Sequence, residues 1–208
     1  MKHYLVAALG AVLVVSLTPP AQAADVVDEW ASIKPPAAPT LKEVRVDPKT
    51  TALLMLDFMN QNCGKRPRCV ASIPAMKKLL EEARAHKMTV VYSLIANTTT
   101  ADVMKEVAPL PDEPHVLSGP NKFRNPELEK ILKDKGISTV IVTGTAANGA
   151  VLQTAVGAVG RGLSVIVPVD GLSSVNAYDD LATVYTFSSA PALSAKATLT
   201  RSDMIKFQ

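Results

Sequence analysis

Apolar and polar positions along this chain alternate between two periods. Thr51-Ala-Leu-Leu-Met-Leu-Asp57 is a continuous apolar run closed by a carboxylate. A run of that length between polar residues suits a strand buried on both faces. Met88 to Ile95, residues 138–143 and Leu163 to Val169 repeat the pattern, and Ala197 to Thr200 reads as a last, edge strand. Between these runs the spacing becomes helical. From Ile73 to Lys87, the residues Ile73, Met76, Leu79, Leu80 and Ala83 share one face, with Ser72 placed to cap it. Asn125-Pro126-Glu127 combines a capping side chain, a first-turn proline and an acid, which predicts a helix start. Leu128, Ile131 and Leu132 are its buried stripe, and Gly136 is its stop. A helix from about Asn148 carries Val151, Leu152, Ala155, Val156 and Val159 almost all round, which predicts burial, and Gly160-Arg-Gly162 ends it. Tyr178 to about Ser188 predicts a further helix. Asn97 to Ala101 predicts a polar loop capping a short helix, and the four prolines from Pro109 to Pro120 predict mostly loop.

Strands alternating with crossover helices predict an α/β fold: a three-layer α/β/α sandwich on a mostly parallel, doubly wound sheet. The 208 residues divide into three parts. Residues 1–23 read as a secretory signal peptide, with a basic start at Lys2 and His3, an apolar core from Tyr4 to Leu17 and a small-residue cleavage site at Ala21-Gln22-Ala23. Residues 24–48, with Pro35-Pro36 and Pro39, read as an extended N-terminal arm. Residues 49–208 read as one domain, without internal repeat.

Composition narrows the partners. The formal net charge is +3, and Lys2 leaves with the signal. So small and evenly spread a charge points away from nucleic acid, and from a membrane once the signal is cleaved. Aromatics at 4% offer little base-stacking surface. The expected location is the periplasm or outside the cell. Cys63 and Cys69 share one short loop, Cys63-Gly-Lys-Arg-Pro-Arg-Cys69. In an oxidising compartment such a pair favours a disulfide; a redox pair or a displaced Cys63 nucleophile is the functional alternative. No nearby histidine supports a zinc site, so no metal and no cofactor is expected.

Asp57 and the segment Gly144-Thr-Ala-Ala-Asn-Gly-Ala-Val-Leu-Gln-Thr-Ala155 carry the candidate chemistry. Each follows an apolar strand run, so both fall on the sheet edge where open α/β sheets bind ligands. A partly desolvated carboxyl there suits general acid or base work; capping of the next loop is the structural alternative. The turn brings backbone N–H groups and a helix N-terminus to the same edge. His86 belongs at a surface helix end, and His115 is a minor acid/base candidate in the proline-rich loop. Nucleophile-elbow, Walker-type phosphate-loop, zincin and dinucleotide motifs are absent from the sequence.

These residues resemble the isochorismatase-like hydrolases, the fold shared with nicotinamidases and N-carbamoylsarcosine amidohydrolases. The turn of most members reads Gly-Val-x-Thr-x-x-Cys-Val-x-x-Thr-Ala. Gly144, Val151, Thr154 and Ala155 keep that frame, while Ala150 stands at the nucleophile's position. Leu54-Met-Leu-Asp-Phe-Met-Asn-Gln61 is similar to the first family motif. The resemblance implies Asp57 as the catalytic aspartate, with Gln61 or Asn60 lining the pocket. It implies a cis peptide at Thr145-Ala146 and a binding turn of Thr145, Ala146, Asn148, Gly149 and Ala150. The family lysine falls, without gaps, at Leu117; the nearest lysine is Lys122, either drawn into the pocket by the Ser118-Gly-Pro120 loop or solvated at the surface. Isochorismatases proper also lack the cysteine and protonate a vinyl ether through the aspartate. The resemblance therefore implies a small-molecule hydrolase using Asp57 and Lys122 without a cysteine nucleophile, and the signal-like N-terminus implies that it is exported. The alternative is a catalytically degenerate binding protein on the same scaffold. Homo-oligomers occur in the family, but no residue here fixes a number.

Overall fold

Nine strands form among the described residues of the computed structural model, which are residues 23–208. The signal segment expected over residues 1–23 lies, but for Ala23, outside them. The strands are β1 (Val44–Val46), β2 (Thr51–Leu56), β3 (Thr89–Leu94), β4 (His115–Leu117), β5 (Thr139–Thr145), β6 (Ser164–Pro168), β7 (Leu172–Ser173), β8 (Ala197–Thr200) and β9 (Ile205–Phe207). The helices are α1 (Pro67–Ala85), α2 (Pro126–Asp134), α3 (Leu152–Val159), α4 (Ala177–Ser189) and the short α5 (Pro191–Ser194). The described residues divide into two units, those up to residue 37 and residues 38–208. In the first, residues 26–32 make successive turns, with the Ser32 N–H donating to Glu29 O at 2.9 Å.

The second unit carries the sheet, in the order β4-β3-β2-β5-β6-β8, with the short β7 beside the end of β5. All its pairings are parallel. The chain winds from β2 outward through β3 to β4, then crosses back to lay β5 on the other side of β2. This reversal makes the β2–β5 boundary the topological switch point, the place where strand ends diverge and leave a crevice. The register across it pairs Leu56 with Gly144. Asp57 and Thr145, one residue further along each strand, therefore emerge side by side.

The period-2 alternation of strands divides the core into two layers. Ala52, Leu54, Leu56, Val140 and Val142 face one side, where they pack with Leu128 and Leu132 of α2, Ala155 and Ala158 of α3 and Phe187 of α4. Leu53, Met55 and Ile141 face the other, against Ile73, Met76, Leu79, Leu80 and Ala83 of α1. The three-layer α/β/α sandwich is thus the observed architecture. No described helix is long and apolar enough to cross a membrane.

Several elements differ from the pattern reading. Helix α1 begins at Pro67, and Ser72 does not cap it: its hydroxyl donates to Cys69 O at 2.7 Å inside the helix. Pro67 fixes the first turn instead, and Pro74 lies within the helix. The proline-rich stretch contains β4, a three-residue edge strand where prolines on either side leave little room for a longer one. Residues 44–46, within the expected arm, form β1, which pairs with β9 in a small separate sheet, so Ala197–Thr200 is not the last strand. The helix after β5 opens with a wide turn over Ala147–Val151, and Val156 on α3 is 52% exposed. Asn125 caps α2 as expected, accepting from the Glu127 N–H at 3.0 Å.

Cys63 and Cys69 are joined in a disulfide and both are fully buried. Denatured, unreduced protein should therefore give no titratable thiol, and a Cys63→Ser/Cys69→Ser variant should lose about 2 kcal/mol in denaturant titration, the loop being short. Gly144 has φ +135°, and a Cβ there would lie 2.1 Å from Leu56 O. Gly144→Ala should cost about 3 kcal/mol or more, read as a lowered melting temperature, because both the backbone and the contact resist it.

Candidate active site

The site starts from the end of β2. Asp57 takes a left-handed backbone conformation, φ 56°, which turns the chain off the strand. Its N–H donates to Ser93 Oγ at 3.2 Å, and the Ser93 hydroxyl donates to Asp57 Oδ1 at 2.7 Å. Ser93 is the penultimate residue of β3, in register with Leu56. Lys122 comes from the loop between β4 and α2. Its Nζ lies 2.8 Å from both Asp57 carboxylate oxygens and 3.3 Å from Ser118 O. The pair is nearly dry: the Lys122 side chain is 1% exposed and that of Asp57 7%.

The loop holding Lys122 is fixed from α3. The Lys122 N–H donates to Thr154 Oγ1 at 3.1 Å, and that hydroxyl donates to Pro120 O at 3.2 Å. Gly157, one turn on, lets the helix press against the loop, since a Cβ there would lie 2.8 Å from Asn121 Oδ1 and 2.9 Å from Phe123. Three donors of the ammonium and three acceptors now match, which exhausts the lysine. Asp57 Oδ1 serves both Ser93 and Lys122. Oδ2 has Lys122 as its single hydrogen-bond partner among the described residues and keeps lone-pair capacity.

A cavity of about 530 Å³ opens above this pair. Asp57 and Lys122 line it, together with Thr145, Ala146, Gly149 and Ala150 of the turn after β5. Ile95, Leu117 and Pro120 supply apolar surface, and Asn62 and Arg66 also line it. The peptide Thr145-Ala146 is cis. Thr145 Oγ1 donates to Ser173 O at 3.0 Å and accepts from Arg66 Nη1 at 2.8 Å. The Ala147 N–H is held by Ser174 Oγ at 3.0 Å, and the Gly149 N–H donates to Ala146 O at 3.1 Å. These two donors serve the turn's own shape, so fewer N–H groups face the cavity than its helix-start position suggests.

Not every expected residue reaches the cavity. Gln61 is exposed and turned away; its amide donates to Asp102, whose carboxyl is held below the usual range by the Thr99 N–H first and by Gln61 second. Asn148 is exposed on the outer side of the turn and does not line the cavity, because the wide turn points it outward. Asn60 is exposed as well. Leu117, at the position expected for a lysine, sits at the end of β4 on the cavity wall, and the cation arrives five residues later. His115 is exposed on β4, and His86 ends α1, stacked on Phe207 at 4.8 Å between centroids. Ser93 and Arg66 are additions. A lone serine inside an apolar strand run and an arginine between paired cysteines were the signals for them. Among the described residues, no group of three or more His, Cys, Asp or Glu gathers as a metal site.

Comparison with known proteins agrees with this architecture. A cysteine hydrolase from Pseudomonas syringae pv. phaseolicola 1448A superposes with a TM-score of 0.68 at 20% identity, over 80% of this chain and 95% of that one. N-carbamoylsarcosine amidase from Thermoplasma acidophilum gives 0.63 at 22% identity, over 74% and 97%. Nicotinamidase from Bacillus subtilis gives 0.65 at 15% identity, over 73% and 99%. At these identities the likeness is one of fold. No curated protein matches the sequence. The sequence model of the isochorismatase domain matches residues 51–195, which spans β2 through α5 and every residue of the cavity. The chain therefore belongs to the isochorismatase family of hydrolases.

Proposed function

We propose that this protein is an exported hydrolase that cleaves a small molecule by acid/base chemistry at Asp57, with no cysteine nucleophile. The observation that carries the reading is the buried Asp57–Lys122 pair lining a cavity beside the Thr145–Ala150 turn. Asp57 Oδ2 is the oxygen free to exchange a proton with the substrate or with an attacking water. Lys122, locked on both carboxylate oxygens, balances charge as that proton moves. Ser93 holds the other oxygen and so fixes the direction in which Oδ2 points. The turn supplies a shaped wall for the substrate's oxygen or carboxylate.

The side chain at 150 is a methyl group, which forms no covalent intermediate. Cys63 offers no substitute, because its sulfur is in the disulfide and it does not line the cavity. Water is thus the nucleophile in this reading: its oxygen bonds to the electrophilic carbon, its proton passes to Asp57, and the departing group takes a proton back. The degenerate binding-protein alternative predicts a ligand-stabilised fold with no turnover. An unfilled cavity ending on a proton-transfer group supports the enzyme instead.

A screen of the oxidised protein against small carboxamides, N-carbamoyl compounds and enol ethers should find turnover. Asp57→Asn should lower it about a hundred- to ten-thousandfold; undiminished activity would remove Asp57 from the mechanism. Each single change, Asp57→Asn or Lys122→Met, strands a buried partner and should cost about 3–5 kcal/mol in denaturant titration. The double variant should regain part of that stability while staying inactive, which separates a lost reaction from a lost fold.

A further inference from the structure

We infer that Arg66, held in place by the Cys63–Cys69 loop, is the anion-recognising residue of the cavity, and that the substrate class is a small organic monoanion with an apolar body, a carboxylate being the simplest. This rests on the reading of the cavity as the hydrolase site and adds a specificity residue to it.

The backbone around Arg66 is tied on both sides. Its N–H donates to Cys63 O at 2.9 Å, and its carbonyl accepts from the Cys69 N–H at 2.9 Å and the Val70 N–H at 3.0 Å. Pro67 follows as the first residue of α1, and the disulfide closes the loop over residues 63–69. The half-buried side chain crosses to the end of β5, where Nη1 donates to Thr145 Oγ1 at 2.8 Å. Thr145 has already given its own proton to Ser173 O, so its hydroxyl can only accept from the arginine. One of five guanidinium N–H donors is used there.

No carboxylate among the described residues forms an ion pair with Arg66. The contrast lies two residues away, where Arg68 Nε donates to Asp180 Oδ2 at 2.7 Å. Within the cavity Asp57 and Lys122 cancel, so Arg66 leaves one uncompensated positive charge in the lining. A guanidinium with free donors and no acid is matched to a planar oxyanion, which it can grip through two parallel bonds. Beside the polar Asn62, Ser118 and Thr145, the lining includes Ile95, Ala96, Leu117, Pro120, Ala146 and Ala150, an apolar surface that suits a hydrocarbon or aromatic body.

Benzoate and benzamide test this, being alike in shape and different in charge, by calorimetric titration of the oxidised protein at low ionic strength. Benzoate should bind more tightly than benzamide by about ten- to a hundredfold, the worth of a charge-assisted hydrogen-bond pair. Arg66→Gln should abolish that preference, lowering benzoate affinity far more than benzamide affinity, in a protein that still melts cooperatively. Arg66→Lys should restore part of it, and Arg68→Gln should leave it intact. Equal affinities in the unaltered protein, no benzoate binding at millimolar concentration, or a preference surviving Arg66→Gln would each overturn the inference. Because binding needs no turnover, failure here leaves the role of Asp57 standing, and an inactive-site result for Asp57→Asn leaves this measurement intact.

Discussion

A carboxylate and an ammonium almost without water are the constraint around which this domain is arranged. Removing either ion from solvent costs several kcal/mol, and mutual attraction repays that only with good geometry and satisfied remaining donors and acceptors. Asp57 and Lys122 meet both conditions through the ends of β2 and β3, the carbonyl of Ser118 and, indirectly, Thr154 on α3. These elements lie up to a hundred residues apart in the chain, so the pair forms only when the sheet is assembled. The parallel sheet places the meeting point at its switch, where the Leu56–Gly144 register sets Asp57 beside Thr145 on the β5 side.

How much of this was legible in the sequence follows from the range of each signal. The strands and their order of alternation were readable because burial on both faces leaves continuous apolar runs, as in Thr51–Leu56 and Val140–Val142. Asn125 and Pro126 marked α2 because capping is local. Asp57 was readable as the polar end of an apolar run. Lys122 was ambiguous, since nothing in its neighbours says whether a loop folds inward; the deciding contact comes from Thr154, some thirty residues on. Gln61 and Asn148 lie off the cavity for the same reason in reverse: spacing put them near the site, but Asp102 captures one and the wide turn after β5 directs the other outward. Arg66 needed knowledge that the disulfide loop lies against β5, which only the assembled fold contains.

Small residues then decide whether the pair is a structural knot or a site. Gly144 lets β5 approach Leu56 closer than any side chain permits, and Gly157 does the same for α3 against the lysine loop. Ala146, Gly149 and Ala150 line the wall next to Asp57 with minimal volume. A packed interior normally fills such space. Here the side chains stop short, and the volume left is of the size that small ligands occupy.

The division of charge follows from the same geometry. An anionic substrate approaching a bare carboxylate would meet repulsion of about 4 kcal/mol at 4 Å in a half-solvated site. Lys122 removes that penalty by neutralising Asp57 from within, and in doing so it spends every donor it has. It therefore cannot also bind the substrate. In the proposed reading that task passes to a second cation whose donors remain open, placed on a covalently closed loop outside the ion pair. In that reading proton transfer and anion recognition are separated onto Asp57 and Arg66, and each acts without discharging the other.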